Sequence, residues 1–288
     1  MFIGAYTALV TPFAADGSLD EACLRSLVNR QIAEGIDGLV PTGTTGECPT
    51  LAHPEHDRVI EVTVEASAKR VPVIAGTGSN STAEALRLTR HAKQAGADGA
   101  LVVSPYYNRP TQEGLYRHFM AVAEIGLPVV LYNIPSRCGV TIEVPTLVRL
   151  AKHPKIVAIK EATGSLDFAS QVAAETPLAL LSGDDSLTLP IGAVGGVGVI
   201  SVLANLMPRR VKELIAAIAA GDFAGARRIH LATLELFKIM FIETNPGPIK
   251  AAMELAGLCR ADVRLPMAPM SEANLARLAE CLTKHKIV

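Results

Sequence analysis

The residues PVIAGTGSNSTAEALRLTRHAKQAGADGALVVS, at positions 72 to 104, contain one complete unit of the pattern that decides the fold. Two short apolar runs, 72–76 and 99–104, flank a segment at 83–95 in which apolar residues recur at helical spacing. Gly96 follows that segment, and a glycine ends a helix there because it accepts a positive φ. The stretch therefore predicts a strand, a helix and a second strand, which is the repeating unit of a parallel sheet.

The same unit recurs along the chain. Apolar runs of strand length are separated by amphipathic segments such as 20–34, and Gly35 and Gly126 follow helical segments as Gly96 does. Eight such runs cover residues 4–10, 38–42, 72–76, 99–104, 128–133, 156–161, 178–183 and 196–201. Eight strands favour a closed (β/α)₈ barrel, the TIM barrel, over an open doubly wound sheet, which usually has fewer strands.

Helical patterns replace strand patterns after residue 201. Four helices are predicted, at 209–220, 223–241, 248–256 and 272–285. We therefore expect a catalytic barrel over residues 1–221, followed by a C-terminal helical extension over residues 222–288.

One uncharged stretch, 186–208, is long enough to span a bilayer. It contains Pro190, Asn205 and four glycines, which favour a helix, a turn and a strand in succession. No membrane association is expected.

The composition limits the classes of binding partner and the cellular location that we expect. Of the 288 residues, 27 are basic and 28 acidic, and no basic run carries interleaved aromatics, so we expect no nucleic-acid partner. The five cysteines form no CxxC pair, and the amino terminus lacks the basic region of a secretory signal. Both features indicate a reducing, cytoplasmic location.

Polar residues collect directly after four of the predicted strands. The sequence there reads GTTGE (43–47), SPYYN (104–108), YNIPSR (132–137) and KEATG (160–164). In a (β/α)₈ barrel the carboxyl ends of the strands meet at one face, and that face carries the active site. We therefore expect these segments to form a single site.

Lys160 is the candidate nucleophile of that site. It follows the apolar run IVAI, which is typical of a strand buried on both faces. Burial favours the neutral amine, the form that attacks a ketone to give an imine. Tyr132, on the adjacent predicted strand, is placed to transfer protons. The alternatives are a strand-end lysine that extends to water and a tyrosine that only packs in the core.

The GTTGE segment offers backbone N–H groups and two hydroxyls at a predicted helix start, which suits a small carboxylate. Other patterns do not indicate a cofactor. The GTG at 76–78 lacks the third glycine and the acidic partner of a dinucleotide site. His53 and His56 have no third ligand at the spacing of a zinc protease. We therefore expect neither an organic cofactor nor a metal.

The chain also resembles a known family. The segments GTTGE, SPYYNRPTQEGL, LYNIPSRCGV, AIKEATG, LSGDD and GVISV, in that order, closely resemble dihydrodipicolinate synthases, and ETNPGPIKAAMELAGL and RLPMAPM are similar to that family's C-terminal region. The resemblance implies a Schiff-base lyase with a class I aldolase mechanism. Its reaction would condense pyruvate with aspartate semialdehyde to 4-hydroxy-tetrahydrodipicolinate, the committed step of lysine and diaminopimelate biosynthesis.

The resemblance implies the catalytic residues of this reaction. Lys160 would form the imine with pyruvate, and the hydroxyls of Thr44, Tyr107 and Tyr132 would form a proton relay. The family residue that matches Tyr107 reaches into the neighbouring subunit's site. A dimer contact is therefore implied, within a homotetramer built as a dimer of dimers.

The substrate-binding residues are implied in the same way. Thr45 with its loop N–H would hold the pyruvate carboxylate, and Arg137 would bind the carboxylate of aspartate semialdehyde. The backbones of Gly183 and Ile200 would complete the cavity.

The resemblance further implies feedback inhibition by lysine at an allosteric site. His53, His56, Asn80, Glu84 and Tyr106 match the regulatory pocket of the lysine-sensitive forms. Mild departures from the family pattern are Cys138, after Arg137, and Cys48-Pro49, after the GTTGE segment.

Two alternatives stay open. A sister Schiff-base lyase acting on N-acetylneuraminate or a 2-keto-3-deoxy sugar acid would share the lysine and the tyrosine. Arg137 argues against it, because a polyhydroxylated acceptor is better served by neutral donors. A non-catalytic pyruvate- or lysine-binding barrel is the second alternative, and the presence of all four catalytic residues argues against it.

Overall fold

Eight parallel strands form the centre of the fold in the computed structural model, which describes residues 2–288. Every predicted strand is present, and the observed bounds differ from the predicted ones by at most two residues at either end. The strands are β1 (Gly4–Ala8), β2 (Gly38–Val40), β3 (Ile74–Gly76), β4 (Gly99–Val103), β5 (Val129–Asn133), β6 (Ile156–Glu161), β7 (Ala179–Ser182) and β8 (Gly198–Ser201).

The sheet closes on itself. Hydrogen bonds join the strands in the order β2-β1-β8-β7-β6-β5-β4-β3. Leu39 of β2 and Val73, just before β3, form an isolated parallel bridge between the two ends of that order. The Gly76 N–H also donates to the Pro41 carbonyl at 2.9 Å. The result is the predicted (β/α)₈ barrel, a TIM barrel, with its strand ends gathered at one face.

Helices connect the strands and extend beyond them. Gly35, Gly96 and Gly126 have φ values of 86°, 88° and 87°, as predicted for residues that end helices. The helices are α1 (Glu21–Ala33), α2 (His53–Ser67), α3 (Thr82–Gln94), α4 (Gln112–Ala123), α5 (Pro135–Cys138), α6 (Val144–Leu150), α7 (Leu166–Glu175), α8 (Thr188–Ala193), α9 (Pro208–Ala219), α10 (Phe223–Ile239), α11 (Gly247–Leu255) and α12 (Glu272–Lys284).

The strand side chains divide between two apolar layers. Ala158 belongs to the cluster inside the barrel, which also contains Tyr6, Tyr132 and Ile200. Ile159, the next residue of β6, packs outward among the helices. Because side chains alternate along a strand, Lys160 points to the same side as Ala158, into the barrel.

The C-terminal helices pack against the barrel. Leu236 of α10, Ile249 of α11 and Leu278 of α12 share one buried apolar cluster with Leu9 and Val10, which follow β1. The helical extension is therefore present, while a domain boundary at residue 221 stays a prediction.

The uncharged stretch 186–208 contains α8 and then β8, as predicted. Within residues 2–288, no helix combines the length and the apolar character needed to cross a membrane.

Candidate active site

Lys160 lies at the carboxyl end of β6 with 6% of its surface exposed. Strand register pairs it with Tyr132 of β5 and Leu181 of β7. Burial lowers the pKa of Lys160 to about 8, with Asp185 opposing the shift and Arg137 adding to it. An appreciable fraction of the amine is therefore neutral near physiological pH, as nucleophilic attack requires.

Tyr132 lies beside this amine. The Lys160 Nζ is 4.2 Å from the centroid of the Tyr132 ring, and the tyrosine is buried. Burial raises the pKa of the phenol, while the charge of Arg137 and a hydrogen bond with the Thr44 side chain act against that shift. The phenol thus stays protonated at neutral pH and can donate a proton near the amine.

The GTTGE loop follows β2 and turns tightly. The Gly46 N–H donates to the Gly43 carbonyl and the Glu47 N–H to the Thr44 carbonyl, each at 3.1 Å. Among residues 2–288, the N–H groups of Thr44 and Thr45 donate to no other group. The loop therefore presents two adjacent N–H donors that can bind a small anion.

Gly183, directly after β7, lies against the lysine. A Cβ at this position would sit 3.1 Å from the Lys160 Cε and 2.8 Å from the Ala162 Cβ, so only glycine leaves room for both side chains. Ile200 of β8 lies in the apolar cluster inside the barrel. Gly183 directly follows β7 and Ile200 is the last residue but one of β8, so both lie toward the carboxyl end of the barrel, which holds Lys160.

A cavity of about 260 Å³ opens at this face, and its lining includes Thr44, Tyr106, Arg137 and Asn245. Arg137, in α5, donates to the Asn245 carbonyl at 3.3 Å. The structure thus brings the loops after β2, β4 and β5 around one cavity, whose lining includes neither Lys160 nor Tyr132. Thr44 and Tyr132 line a smaller adjoining cavity together.

Tyr107 lies apart from the other two relay candidates, Thr44 and Tyr132. It is 89% exposed, has a positive φ of 71° and lines none of the cavities around Thr44. Within its own chain it is therefore not placed to exchange protons with Tyr132.

Four of the five predicted regulatory residues surround a second pocket of about 110 Å³, namely His53, His56, Glu84 and Tyr106. The Glu84 carboxylate accepts from His53 Nε2 at 2.6 Å and from the Ser79 hydroxyl. The side chain of Ser79, followed by that of His53, lowers the pKa of Glu84, so it carries a negative charge. Asn80 is not part of the pocket lining, and its carbonyl accepts from Asn108 at 2.8 Å.

The two pockets share a wall. Cys48, Pro49 and Tyr106 line both the 260 Å³ cavity and the 110 Å³ pocket. A ligand that moves any of these residues in one pocket therefore changes the shape of the other.

Two residues of the site carried no usable signal in the sequence. Asp185, after β7, is buried, and its Oδ2 accepts the N–H groups of Val202 and Leu203 at 3.0 Å each. Asn245, before α11, donates from Nδ2 to the Thr45 hydroxyl at 3.0 Å. Asp185 lies in the LSGDD motif, but only its contacts distinguish it from Asp184.

Comparison with known proteins gives consistent matches over the full chain. A profile of the dihydrodipicolinate synthetase family matches residues 1–285. A protein of Citrifermentans bemidjiense, named 4-hydroxy-tetrahydrodipicolinate synthase, is 56% identical, with 100% of each chain covered. The crystal structure of dihydrodipicolinate synthase from Aquifex aeolicus is 50% identical, with a TM-score of 0.98 and 99% of each chain covered.

Two further similar structures contain small molecules. One is the chloride-inhibited dihydrodipicolinate synthase of Acinetobacter baumannii complexed with pyruvate, 42% identical with a TM-score of 0.98 and 100% of each chain covered. The other, from Cyanidioschyzon merolae with lysine bound, is 38% identical with a TM-score of 0.97. The match covers 100% of this chain and 99% of that one.

Proposed function

The chain belongs to the dihydrodipicolinate synthetase family, and we propose that it condenses pyruvate with aspartate semialdehyde through a Schiff base on Lys160. The product is 4-hydroxy-tetrahydrodipicolinate, formed at the committed step of lysine and diaminopimelate biosynthesis. The observation that carries the proposal is the buried Lys160 amine, whose pKa is about 8.

The mechanism uses the groups around that amine. Neutral Lys160 attacks the pyruvate ketone to form a carbinolamine, which takes a proton from the Tyr132 hydroxyl and loses water to give an iminium ion. Loss of a methyl proton to the Tyr132–Thr44 relay gives an enamine, whose carbon attacks the aldehyde of the second substrate. The amino group of that substrate then attacks the iminium carbon, which closes the ring and releases Lys160. The iminium is the electron sink, so the reaction requires neither metal nor organic cofactor.

Each substrate carries a carboxylate, and the site offers two places for one. The free N–H groups of Thr44 and Thr45 suit the carboxylate of pyruvate, which lies close to the imine. Arg137, at the rim of the 260 Å³ cavity, suits the carboxylate of aspartate semialdehyde through a charge-assisted hydrogen bond. Gly183 and Ile200 complete the chamber around the imine.

We assign Tyr107 to the relay of the neighbouring subunit in a homotetramer built as a dimer of dimers. Its exposure of 89% supports this assignment, because a large aromatic side chain in an active site is normally covered. Sedimentation of the wild type and of Tyr107→Phe measures their oligomeric states and so checks this assignment. Full activity in a wild-type monomer would contradict it.

We assign lysine as a feedback inhibitor that binds the 110 Å³ pocket. The negative charge of Glu84 suits the ammonium group of lysine. The shared wall of Cys48, Pro49 and Tyr106 supports a coupling to the catalytic cavity. The five cysteines are all free thiols, which supports a cytoplasmic location.

Two measurements test the proposed function. Borohydride reduction with pyruvate, followed by mass analysis, is expected to add one reduced pyruvate to the wild type at Lys160. An acceptor screen is expected to give turnover with aspartate semialdehyde and none with N-acetylneuraminate or 2-keto-3-deoxy sugar acids. Absence of the adduct would exclude the mechanism, and the opposite acceptor preference would identify a sister lyase.

A further inference from the structure

A buried ion pair joins Glu47, the last residue of the GTTGE loop, to Lys250. The Lys250 Nζ is 2.6 Å from the Glu47 Oε1, and the two side chains are 0% and 1% exposed. Glu47 follows Thr44, Thr45 and Gly46, and its φ of 55° places it in the left-handed region. Lys250 belongs to α11, so the pair connects the C-terminal helices to the loop after β2.

Other contacts fix both members of the pair. The second carboxylate oxygen of Glu47 accepts a hydrogen bond from the backbone N–H of Arg264 at 3.0 Å. Lys250 also donates to the backbone carbonyl of Asp262 at 2.5 Å. Two cations lie over the Phe13 ring, with Lys250 Nζ at 4.3 Å and Arg264 Cζ at 4.2 Å from its centroid. Both oxygens of Glu47 are thus bound, and the carboxylate has one orientation.

Stability alone does not account for such a pair. Removing two charges from water costs about as much as their attraction returns, and apolar residues of similar volume often serve equally well. What an ion pair of this kind supplies is a fixed geometry. Here the fixed residue also closes the loop, because the Glu47 N–H donates to the Thr44 carbonyl at 3.1 Å.

We propose that the Glu47–Lys250 pair is the positioning element that holds the Thr44 and Thr45 N–H groups in place for the carboxylate of pyruvate. The pair acts through the loop rather than on the reacting atoms. The inference rests on the proposed function, since it explains how the same site selects its first substrate. It gives the C-terminal helices a part in binding pyruvate, whereas Arg137 serves the second substrate.

Two variants separate positioning from folding. Glu47→Gln keeps the shape but turns one of two accepting oxygens into a donor, which then faces Lys250 or the Arg264 N–H. The double variant Glu47→Leu/Lys250→Met removes both charges and, because it leaves no lone buried charge, should fold with less loss of stability than removal of either charge alone. Glu55→Gln is the matched control, because Glu55 pairs with Arg264 at 2.6 Å without contacting the loop.

The measurements are the KM for each substrate, the pyruvate concentration for half-maximal borohydride trapping, and the midpoint of thermal unfolding. In both test variants we expect the pyruvate KM and the trapping midpoint to rise about tenfold, equivalent to ~1.4 kcal/mol. The KM for aspartate semialdehyde should stay within about twofold, since Arg137 donates to the Asn245 carbonyl and contacts neither member of the pair. Glu55→Gln should leave both KM values unchanged.

An unchanged pyruvate KM in a folded double variant would overturn the inference. So would KM values for both substrates that rise together with the loss of thermal stability, because that pattern indicates a purely structural pair. Neither outcome touches the proposed function, which borohydride trapping and the acceptor screen test separately on the wild type.

Discussion

The Lys160 Nζ lies over the face of the Tyr132 ring, 4.2 Å from its centroid, because β5 and β6 place the two residues in register. Both side chains are buried, and burial shifts the pKa of the amine down and that of the phenol up. The shifts leave a neutral nucleophile beside a protonated donor. Imine formation needs this combination, since the amine attacks and the departing hydroxyl takes a proton.

Replacing Lys160 by methionine should abolish activity and leave the fold intact. Methionine has a similar volume, and it removes a charge that is costly to bury. We expect no borohydride-trapped pyruvate adduct and a thermal midpoint at least equal to that of wild type. Lys155→Met is the control, because Lys155 is exposed just before the same strand. A trapped adduct in Lys160→Met would assign the imine to another lysine.

The kcat/KM for pyruvate should rise with pH up to about 8. The pKa of Lys160 is about 8, below the usual 10.5, so the neutral fraction of the free enzyme grows roughly tenfold per pH unit below that value and then levels off. Asp185 raises the pKa of Lys160, so Asp185→Asn should move the midpoint of the profile to lower pH. A profile flat from pH 6 to 9 in wild type would argue against a titrating amine.

Arg137→Ala should weaken selection of the second substrate. Losing a charge-assisted hydrogen bond of about 1.5–3 kcal/mol would lower kcat/KM for aspartate semialdehyde roughly tenfold to a hundredfold. Trapping with pyruvate should survive. Arg117→Ala, at an exposed pair with Glu113, is the control. If trapping failed while the kinetics of the second substrate held, the two carboxylate positions would be reversed.

Lysine should inhibit wild type partially, and Glu84→Gln should abolish the effect. The substitution keeps the side-chain shape but removes the charge that pairs with an ammonium group. Steady-state rates at millimolar lysine make the comparison. Glu65→Gln, an exposed acid of α2 outside the pocket, should retain the inhibition. Inhibition that is purely competitive with pyruvate would place lysine in the catalytic cavity instead.

Stability should fall in acid partly because of His118. Burial lowers the pKa of His118 from 6.5 to about 4, and its Nδ1 lies 3.0 Å from the Thr82 hydroxyl. Between pH 6.5 and 4 the unfolded chain takes up the proton first. The free energy of unfolding therefore drops as pH falls through this window, by up to roughly 3 kcal/mol.

His118→Asn should make the free energy of unfolding fall less steeply as pH falls, because asparagine can keep a hydrogen bond to Thr82 without titrating. Urea unfolding at pH 7, 6, 5 and 4 measures the slope. His56 is also buried, with a pKa of about 4, so the double variant His56→Asn/His118→Asn should be shallower still. An unchanged slope in both variants would show that other groups control acid unfolding.

Several features of the site were predictable because neighbouring residues determine them. Alternation along IVAIK places Lys160 inside the barrel once β6 is recognised, and Gly35 and Gly96 mark the helix ends. The composition of the GTTGE loop was a weak signal by itself, and its role was predicted from the family resemblance. Asn80 does not line the pocket that the other four predicted regulatory residues surround, and its part in lysine binding stays a prediction.

The sequence by itself determined the element order, the strand count and the residues at the strand ends, because periodicity and turn chemistry act over a few neighbouring positions. The tertiary structure alone decided which distant segments meet. Thr45 and Asn245 are 200 positions apart and Glu47 and Lys250 are 203 apart, yet each pair is within hydrogen-bonding distance. Such contacts arise only when the barrel closes and α11 packs against the loop after β2. No pattern among neighbouring residues predicts that these distant residues meet.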